Sequence, residues 1–430
     1  MSAREPEEGP LPDELLAAEE AEEARERSRT GQLRIVYAAR ALVSASRAIA
    51  GIGGPIYLAK VGFGGTGLGI VFALAGFFAL FVSFGVGFMA DRMGRRIFLV
   101  VYPILVAAAG FVFAFSRAEW VLGGMAVVAS FGRGAGAGAG SVGPYQPAET
   151  AMVADLARAG RRNQAFIAIA QMSVIGAIAG SVIAFFAFPA AGGGKGGAFS
   201  AAFVVAGVLA LLGGFIALWL ENDRRPRGQK PPKGVFPHRS LGLLARLWVT
   251  NTLNGLAVGM FGPFVTYFLY LKFHASPAQI ALLYLVVNVV SLGPIGQVGK
   301  LAQRFGTIRV TVFFRLIQAL LLVPFAFAPT FLMAGILYLV RMIAQRLAMP
   351  LRQSYVQARV PPEERARVAA LANLPSQGAM AASPALSGYL FDVAPLEVPF
   401  MIGGVLQLVS TLFYWGFFSK APPPEETARD

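Results

Sequence analysis

Cysteine is absent from this sequence of 430 residues, so it can form no disulfide and hold no metal through thiolates. Histidine is nearly absent: His238 and His274 both fall in expected loops, and neither H-E-x-x-H nor G-x-S-x-G occurs. No metal cluster and no nucleophile–base pair can be assembled, so the chain is read as a non-enzyme with no metal and no cofactor. G-x-x-x-x-G-K-[ST] is missing too, which excludes an ATP-driven pump built from this chain alone. Charge is also scarce, at 14% of residues against about 25% in soluble domains. Carboxylates are the scarcest: residues 31–420 hold ten, Asp91, Glu119, Glu149, Asp155, Glu221, Asp223, Glu363, Glu364, Asp392 and Glu397.

What fills the space is apolar. Hydrophobic residues make up 56% of the chain, in runs of about 20 residues, the length that crosses a hydrocarbon core of about 30 Å. Such segments are expected at 34–58, 66–90, 97–115, 119–143, 164–188, 198–220, 243–270, 278–302, 308–328, 330–350, 366–390 and 396–419. The fold class expected is therefore an all-α membrane protein with twelve transmembrane helices in a lipid bilayer. Gly and Pro inside the runs (GIGGPIYL, SLGPIG, ASPALSG) are compatible with membrane helices, where neighbours re-satisfy freed backbone groups.

The net charge of +14 is unevenly spread: residues 1–30 carry −6, leaving +20 on the rest. The acidic start has no basic n-region before an apolar h-region, so no cleavable signal peptide is expected and 1–30 reads as a solvated cytosolic tail. With the N-terminus in the cytosol, the cytosolic loops hold nineteen Lys and Arg against four (Lys60, Arg117, Lys195 and Lys272) on the other side. This positive-inside bias explains the basic balance without nucleic acid and places both termini, including the tail 421–430, in the cytoplasm. The expected location is the cytoplasmic (inner) membrane.

The chain also divides near its midpoint. Residues 221–240, ENDRRPRGQKPPKGVFPHRS, read as a polar, proline-rich linker between halves at 31–220 and 241–420. GFMADRMG (87–94) and GKLAQRFG (299–306) both fit G-x-x-x-[D/Q]-R-x-G, each between the second and third helices of its half. A looser echo pairs residues 147–168 with 350–371. Repeated six-helix halves mark secondary transporters, with the substrate near the midplane between them.

GFMADRMGRR resembles the loop motif of the major facilitator superfamily, G-x-x-x-D-R-x-G-R-R, matching at Gly87, Asp91, Arg92, Gly94, Arg95 and Arg96. The general look is of prokaryotic drug-exporter-like members. The resemblance implies a two-bundle transporter fold. It also implies a gating latch in which Asp91 complements the positive N-terminus of the eleventh helix, near Ala366, in the outward-open state. Gly94 suits a turn that needs positive φ. For Arg92, Arg95 and Arg96, enforcement of topology is the alternative to a latch.

Arginines at depth are the strongest pointers to a site. Arg47, Arg133 and Arg341 fall near the middle of helices one, four and ten, where a charge costs about 2.5–3.5 kcal/mol on insertion scales and so faces a polar interior. Arg40 and Arg315 lie nearer the cytosolic side, where snorkelling is the alternative. No carboxylate is expected mid-span to pair with them. Asn251, Asn254 and Gln345 join the substrate-binding candidates, with Gln171, Asn373 and Gln377 as further polar neighbours. An arginine- and amide-lined cavity suits a small organic anion or an amphipathic molecule with an anionic head. Glu149 and Asp155 are candidates for proton coupling. The fifth helix, GAIAGSVIAF, lacks the Gly-Pro pair of drug–proton antiporters, so efflux, uptake and uniport all stand, with the chain acting as a monomer. A non-transporting receptor or scaffold is the remaining alternative.

The stretch FGRGAGAGAGSVG (131–143) satisfies G-x-G-x-x-G from Gly138 to Gly143, but no strand precedes it and no βαβ unit surrounds it. It is read as part of helix four, with Gly132, Gly136 and Gly140 on one face as a close-packing surface.

Overall fold

The computed structural model describes residues 13–133, 143–157, 162–190, 197–221, 240–291, 298–361, 364, 368 and 371–419. The first half contains α1 (Asp13–Val61), α2 (Gly65–Met93), α3 (Arg96–Phe115), α4 (Glu119–Ala129), α5 (Gln146–Leu156), α6 (Arg162–Ala190) and α7 (Gly197–Ala217). The second contains α8 (Leu241–Phe261), α9 (Val265–Phe273), α10 (Pro277–Val290), α11 (Val298–Phe305), α12 (Thr307–Leu320), α13 (Leu322–Ala326), α14 (Phe331–Arg359), α15 (Leu374–Val393) and α16 (Val398–Phe418).

Among the described residues, nine helical segments are long and apolar enough to cross a membrane, and α4 and α10 are shorter apolar helices. The remaining expected span is α15, whose 20 residues include Ser376, Gln377, Ser383 and Ser387. Its polarity follows from its place against α2 and α8 inside the protein. Large apolar side chains cover the outside, among them Phe81, Phe115 and Leu332, with Trp120 and Trp219 toward opposite ends. That distribution suits a lipid-facing belt.

Three features differ from the expectation. α1 begins at Asp13, so the helix continues well into the acidic tail instead of starting near residue 34. The tenth span reaches Arg359, which places Arg352 in a helix and not in a loop. The fourth span is broken: α4 stops at Ala129, Ser130 takes a left-handed conformation (φ 50°), and Gly132 has φ 78°. Gly132 therefore does not begin a helical glycine face. It lies against α1, where a Cβ on it would meet Gly54 Cα at 3.2 Å. The glycines at 134–140, the linker residues 222–239, Ala366 and the tail 420–430 lie outside the described residues.

The sequence repeat has a conformational counterpart. Gly94 closes α2 with φ 90° and ψ 144°, and Gly306, its partner in the second copy, opens α12 with φ 88° and ψ 138°. Both adopt a backbone that L side chains rarely reach, so each copy turns the chain through the same tight corner.

Helices α2 and α15 bring the two halves together and then diverge. A Cβ on Gly65 would lie 2.6 Å from Gly388 O, one on Gly69 2.5 Å from Pro384 O, and one on Gly76 2.8 Å from Ala381 Cα. Farther along, a Cβ on Gly85, Gly87 or Gly378 would meet nothing within 4 Å. The pair is thus a wedge, closed at Gly65 and open at Gly87. At the closed end Phe72 packs on Phe264 and Phe264 on Phe391, with ring centroids 5.5 and 5.1 Å apart.

Candidate functional site

Inside the wedge lies a cavity of about 320 Å³ lined by both halves. Arg47 comes from α1, Ser83 from α2, Arg133 and Ser130 from the broken fourth span, Gln146 from α5 and Gln377 from α15. A second void of about 350 Å³ shares Leu80, Ser83 and Gln377 and extends past Pro147 and Leu374 to Gly87, at the open end.

The break after Ala129 sets this chemistry. Tyr102 on α3 donates to the buried carbonyl of Ala129, the last residue of α4, at 3.1 Å, and Arg47 Nη1 donates to the same Tyr102 hydroxyl. Arg133 Nη2 crosses between halves to donate to Met380 O on α15 at 3.3 Å, in space left by Gly76. Ser130 Oγ is buried and has no hydrogen-bond partner among the described residues. The cavity thus holds two guanidinium groups bonded to neutral oxygens, an unpartnered hydroxyl and two amides, and no carboxylate is among its lining residues.

The other deep arginines are used differently. Arg341 does not line this cavity: it is 1% exposed within the second half. It lies over the Phe261 ring, 3.9 Å from the centroid, and donates to Gln407 Oε1 at 3.2 Å and Gln345 Oε1 at 3.4 Å. Gln345 is therefore a structural partner of Arg341. Asn251 is also internal, donating to Ala372 O at 2.7 Å and accepting from Arg352 at 3.0 Å, while Arg352 also donates to Asn373. Asn254, on α8, is half-buried and is not among the cavity-lining residues, nor is the exposed Gln171 on α6. Asn251, Asn373, Gln345 and Gln407 accept from buried arginines through neutral oxygens, and Asn251 also bonds across helices.

Snorkelling is not what Arg40 and Arg315 do. Arg315 is buried, donating to Ser410 Oγ at 2.8 Å above the Tyr414 ring. Arg40 Nη1 meets Glu149 Oε2 at 2.7 Å, with side chains 6% and 4% exposed, and Arg40 Nε donates to Ser173 Oγ. Arg40, nearer the cytosolic side, thus has a buried carboxylate partner, whereas Arg47, Arg133 and Arg341 donate to neutral oxygens. Arg40 and Glu149 sit 109 residues apart, and α1 and α5 have to pack before the pair exists. Both residues are conspicuous in the sequence, but the bond between them is not.

Of the gating candidates, Arg95 is buried and donates to Asp155 Oδ2 at 2.6 Å, tying the start of α3 to the end of α5. That leaves Asp155, 32% exposed, paired with a buried arginine and not among the cavity-lining residues. Arg92 is exposed, and the side chain of Asp91 lies outside the described residues, as does the helix start it was expected to cap.

Residues 36–246 and 247–430 each match the family profile described as Major Facilitator Superfamily. The multidrug resistance protein MdtG of Serratia proteamaculans (strain 568) is 25% identical over 282 residues. That similarity covers 63% of this chain and 64% of the relative, so the chain spans less than two thirds of the relative's length. Among solved structures, the nucleoside transporter NupG superposes with a TM-score of 0.69 at 16% identity, covering 91% of this chain and 99% of that one. A bacterial homologue of the human lysosomal transporter Spinster, inward-facing and unoccupied, gives 0.69 at 14% identity over 92% and 98%. The human organic anion transporter MFSD10 gives 0.57 at 18% identity over 90% and 99%.

Proposed function

We infer the function from one premise: the chain belongs to the Major Facilitator Superfamily, a family of multi-pass membrane transporters. From that premise we propose that it carries a small organic anion, or an amphipathic molecule with an anionic head, across the cytoplasmic membrane by alternating access. One observation carries the reading: Arg47 and Arg133 face a shared cavity whose lining residues include no carboxylate. Placing two cations there is costly in a bilayer, and an anionic guest offsets that cost. The two halves, 31–220 and 241–420, would rock about this cavity, joined by the cytosolic linker 221–240. Positive-inside charge supports an open end facing the cytoplasm, since Arg92, Arg95 and Arg96 lie there and Lys60 and Lys272 at the closed end.

Similarity to a drug-resistance protein supports export. Uptake is the second reading, favoured because the cavity lining offers no carboxylate to exchange a proton for a cationic drug. Flux of organic anions into liposomes containing the purified full chain tests the proposal. Movement of aryl sulfonates that is lost in both Arg47→Ala and Arg133→Ala supports it; equal flux in empty liposomes overturns it.

A further inference from the structure

The two halves fill the same buried place with opposite charges. In the first half, α1 and α5 meet through Arg40 and Glu149, a cation with its carboxylate at 2.7 Å. Glu149 is the third residue of the stretch 147–168, and the third residue of its echo, 350–371, is Arg352. Arg352 Nη1 donates to Asn251 Oδ1 on α8 at 3.0 Å, and its Nη2 donates to Asn373 Oδ1 at 3.1 Å. The second half thus carries a guanidinium where the first carries a carboxylate, and an amide where the first carries a guanidinium.

A second cation adds to the excess. Arg315 on α12 is 4% exposed, and its guanidinium lies over the Tyr414 ring of α16, 5.0 Å from the centroid. Arg352 is within electrostatic reach of both Arg315 and Tyr414. Arg315 Nη2 donates to Ser410 Oγ, but Arg315 Nη1 and the Tyr414 hydroxyl are buried without a hydrogen-bond partner among the described residues. The neighbouring polar groups are already engaged: Ser410 donates to Thr250 O, and the Asn251 amide donates to Ala372 O. Among the described residues, no carboxylate pairs with Arg315 or Arg352. Tyr414 belongs to an apolar cluster with Leu244, Leu247 and Phe418. Two positive charges and two unused donors in such an interior are costly without a counter-ion. Neither void of the wedge is lined by these residues, which sets them apart from the cavity of Arg47 and Arg133.

We propose that the second half binds a small inorganic anion of the halide class, held by Arg315 Nη1 and the Tyr414 hydroxyl and balanced by Arg352. A monatomic anion accepts hydrogen bonds from any direction, and the packed apolar surroundings favour it over a carboxylate or a phosphate. The start of α15 at Leu374, directly after Asn373, adds the positive end of a helix. Entry is from the cytosolic side, past the half-buried Arg352. The anion does for α8, α12, α14 and α16 what Glu149 does for α1 and α5, supplying the negative charge that lets buried arginines join helices. One half carries its anion in the chain, and the other takes it from solution. The site is independent of the anion reading of the transport cavity.

The test compares the purified full chain in sodium chloride and in sodium gluconate, whose anion is too large for a closed interior, at equal ionic strength. The melting temperature of the wild type should rise by a few degrees with chloride and saturate, as a bound ligand requires. Arg315→Gln should lose that rise. Tyr414→Phe keeps the ring beneath Arg315 and removes one donor, so the chloride concentration giving half the effect should increase roughly tenfold. If Arg315→Gln does not fold, Tyr414→Phe still reads the site, and anomalous diffraction from wild-type crystals grown in bromide locates the anion directly. A bromide peak beside Arg315 and Tyr414 is expected. Equal melting in chloride and gluconate overturns the proposal, and so does a chloride response undiminished in Arg315→Gln or, where that variant does not fold, in Tyr414→Phe. A bromide peak confined to the cavity of Arg47 and Arg133, or water alone beside Arg315, also overturns it and leaves the transport reading as it was.

Discussion

Asp392, at the last turn of α15, accepts a hydrogen bond from the backbone amide of Gly65, at the first turn of α2, at 2.8 Å; its other oxygen takes the Thr66 amide at 2.7 Å. The C-terminal end of a second-half helix thus caps the N-terminus of a first-half helix. The loop-motif resemblance implies the converse arrangement at the opposite end, with Asp91 of α2 serving the eleventh span. Each end of one helix pair would then carry a carboxylate that holds it shut in turn.

Removing the cap should loosen the closed end. An N-cap contact contributes about 1 kcal/mol, so Asp392→Ala is expected to raise the population open at that end roughly fivefold. The cysteine-free background allows spin labels at Phe63 and Ala394, and their distance distribution reads the shift. An unchanged distribution would show that the cap does not hold the gate.

Close backbone contact between α2 and α15 should matter more than the cap. A Cβ at position 69 would sit 2.5 Å from Pro384 O, a backbone atom with little freedom to yield. Overpacking of this kind costs about 1–3 kcal/mol, and the closed end bears all of it. Gly69→Ala is expected to abolish flux while the protein still elutes as a folded species. Wild-type transport by this variant would mean that the helices separate without cost.

Arg133 and Arg341 should separate function from stability. Arg133→Ala is expected to lose aryl sulfonate binding with little change in melting temperature. Arg341→Ala takes the buried Gln407 Oε1 from its arginine partner, at about 1–3 kcal/mol, and should lower the melting temperature while residual folded protein binds normally. Thermal unfolding and titration of both variants check the contrast.

Lys272 and Glu397 form a small pH-sensitive clasp between the end of α9 and the start of α16, at 2.7 Å. The hydrogen bond from Lys272 holds the Glu397 carboxyl below its usual range. A depressed folded value means that the clasp's contribution is complete above the ordinary glutamate range and is lost as pH falls through the lower folded value. Wild type should therefore lose its thermal advantage over Glu397→Gln when the pH is lowered past about 4, the ordinary range. An advantage constant with pH would contradict it.

The sequence by itself determined the class, the spans and the repeat. Apolar run length against bilayer thickness is a one-dimensional property, and Gly94 and Gly306 announce their corners because few residues tolerate that backbone. It also brought Arg47, Arg133 and Gln377 to attention, since a deep polar residue is conspicuous in an apolar run. What it could not assign was which arginine faces a cavity and which lies over a phenyl ring, because depth along a helix says nothing about rotation relative to neighbours. Arg341 and Arg133 look alike in sequence; Phe261 and Gln407 claim the first, and the break at Ser130 releases the second. Likewise the Arg40–Glu149 pair, the Asp392 cap and the wedge between α2 and α15 join residues 109, 327 and more than 300 positions apart. Those contacts exist only once the helices pack, so tertiary structure alone decided them.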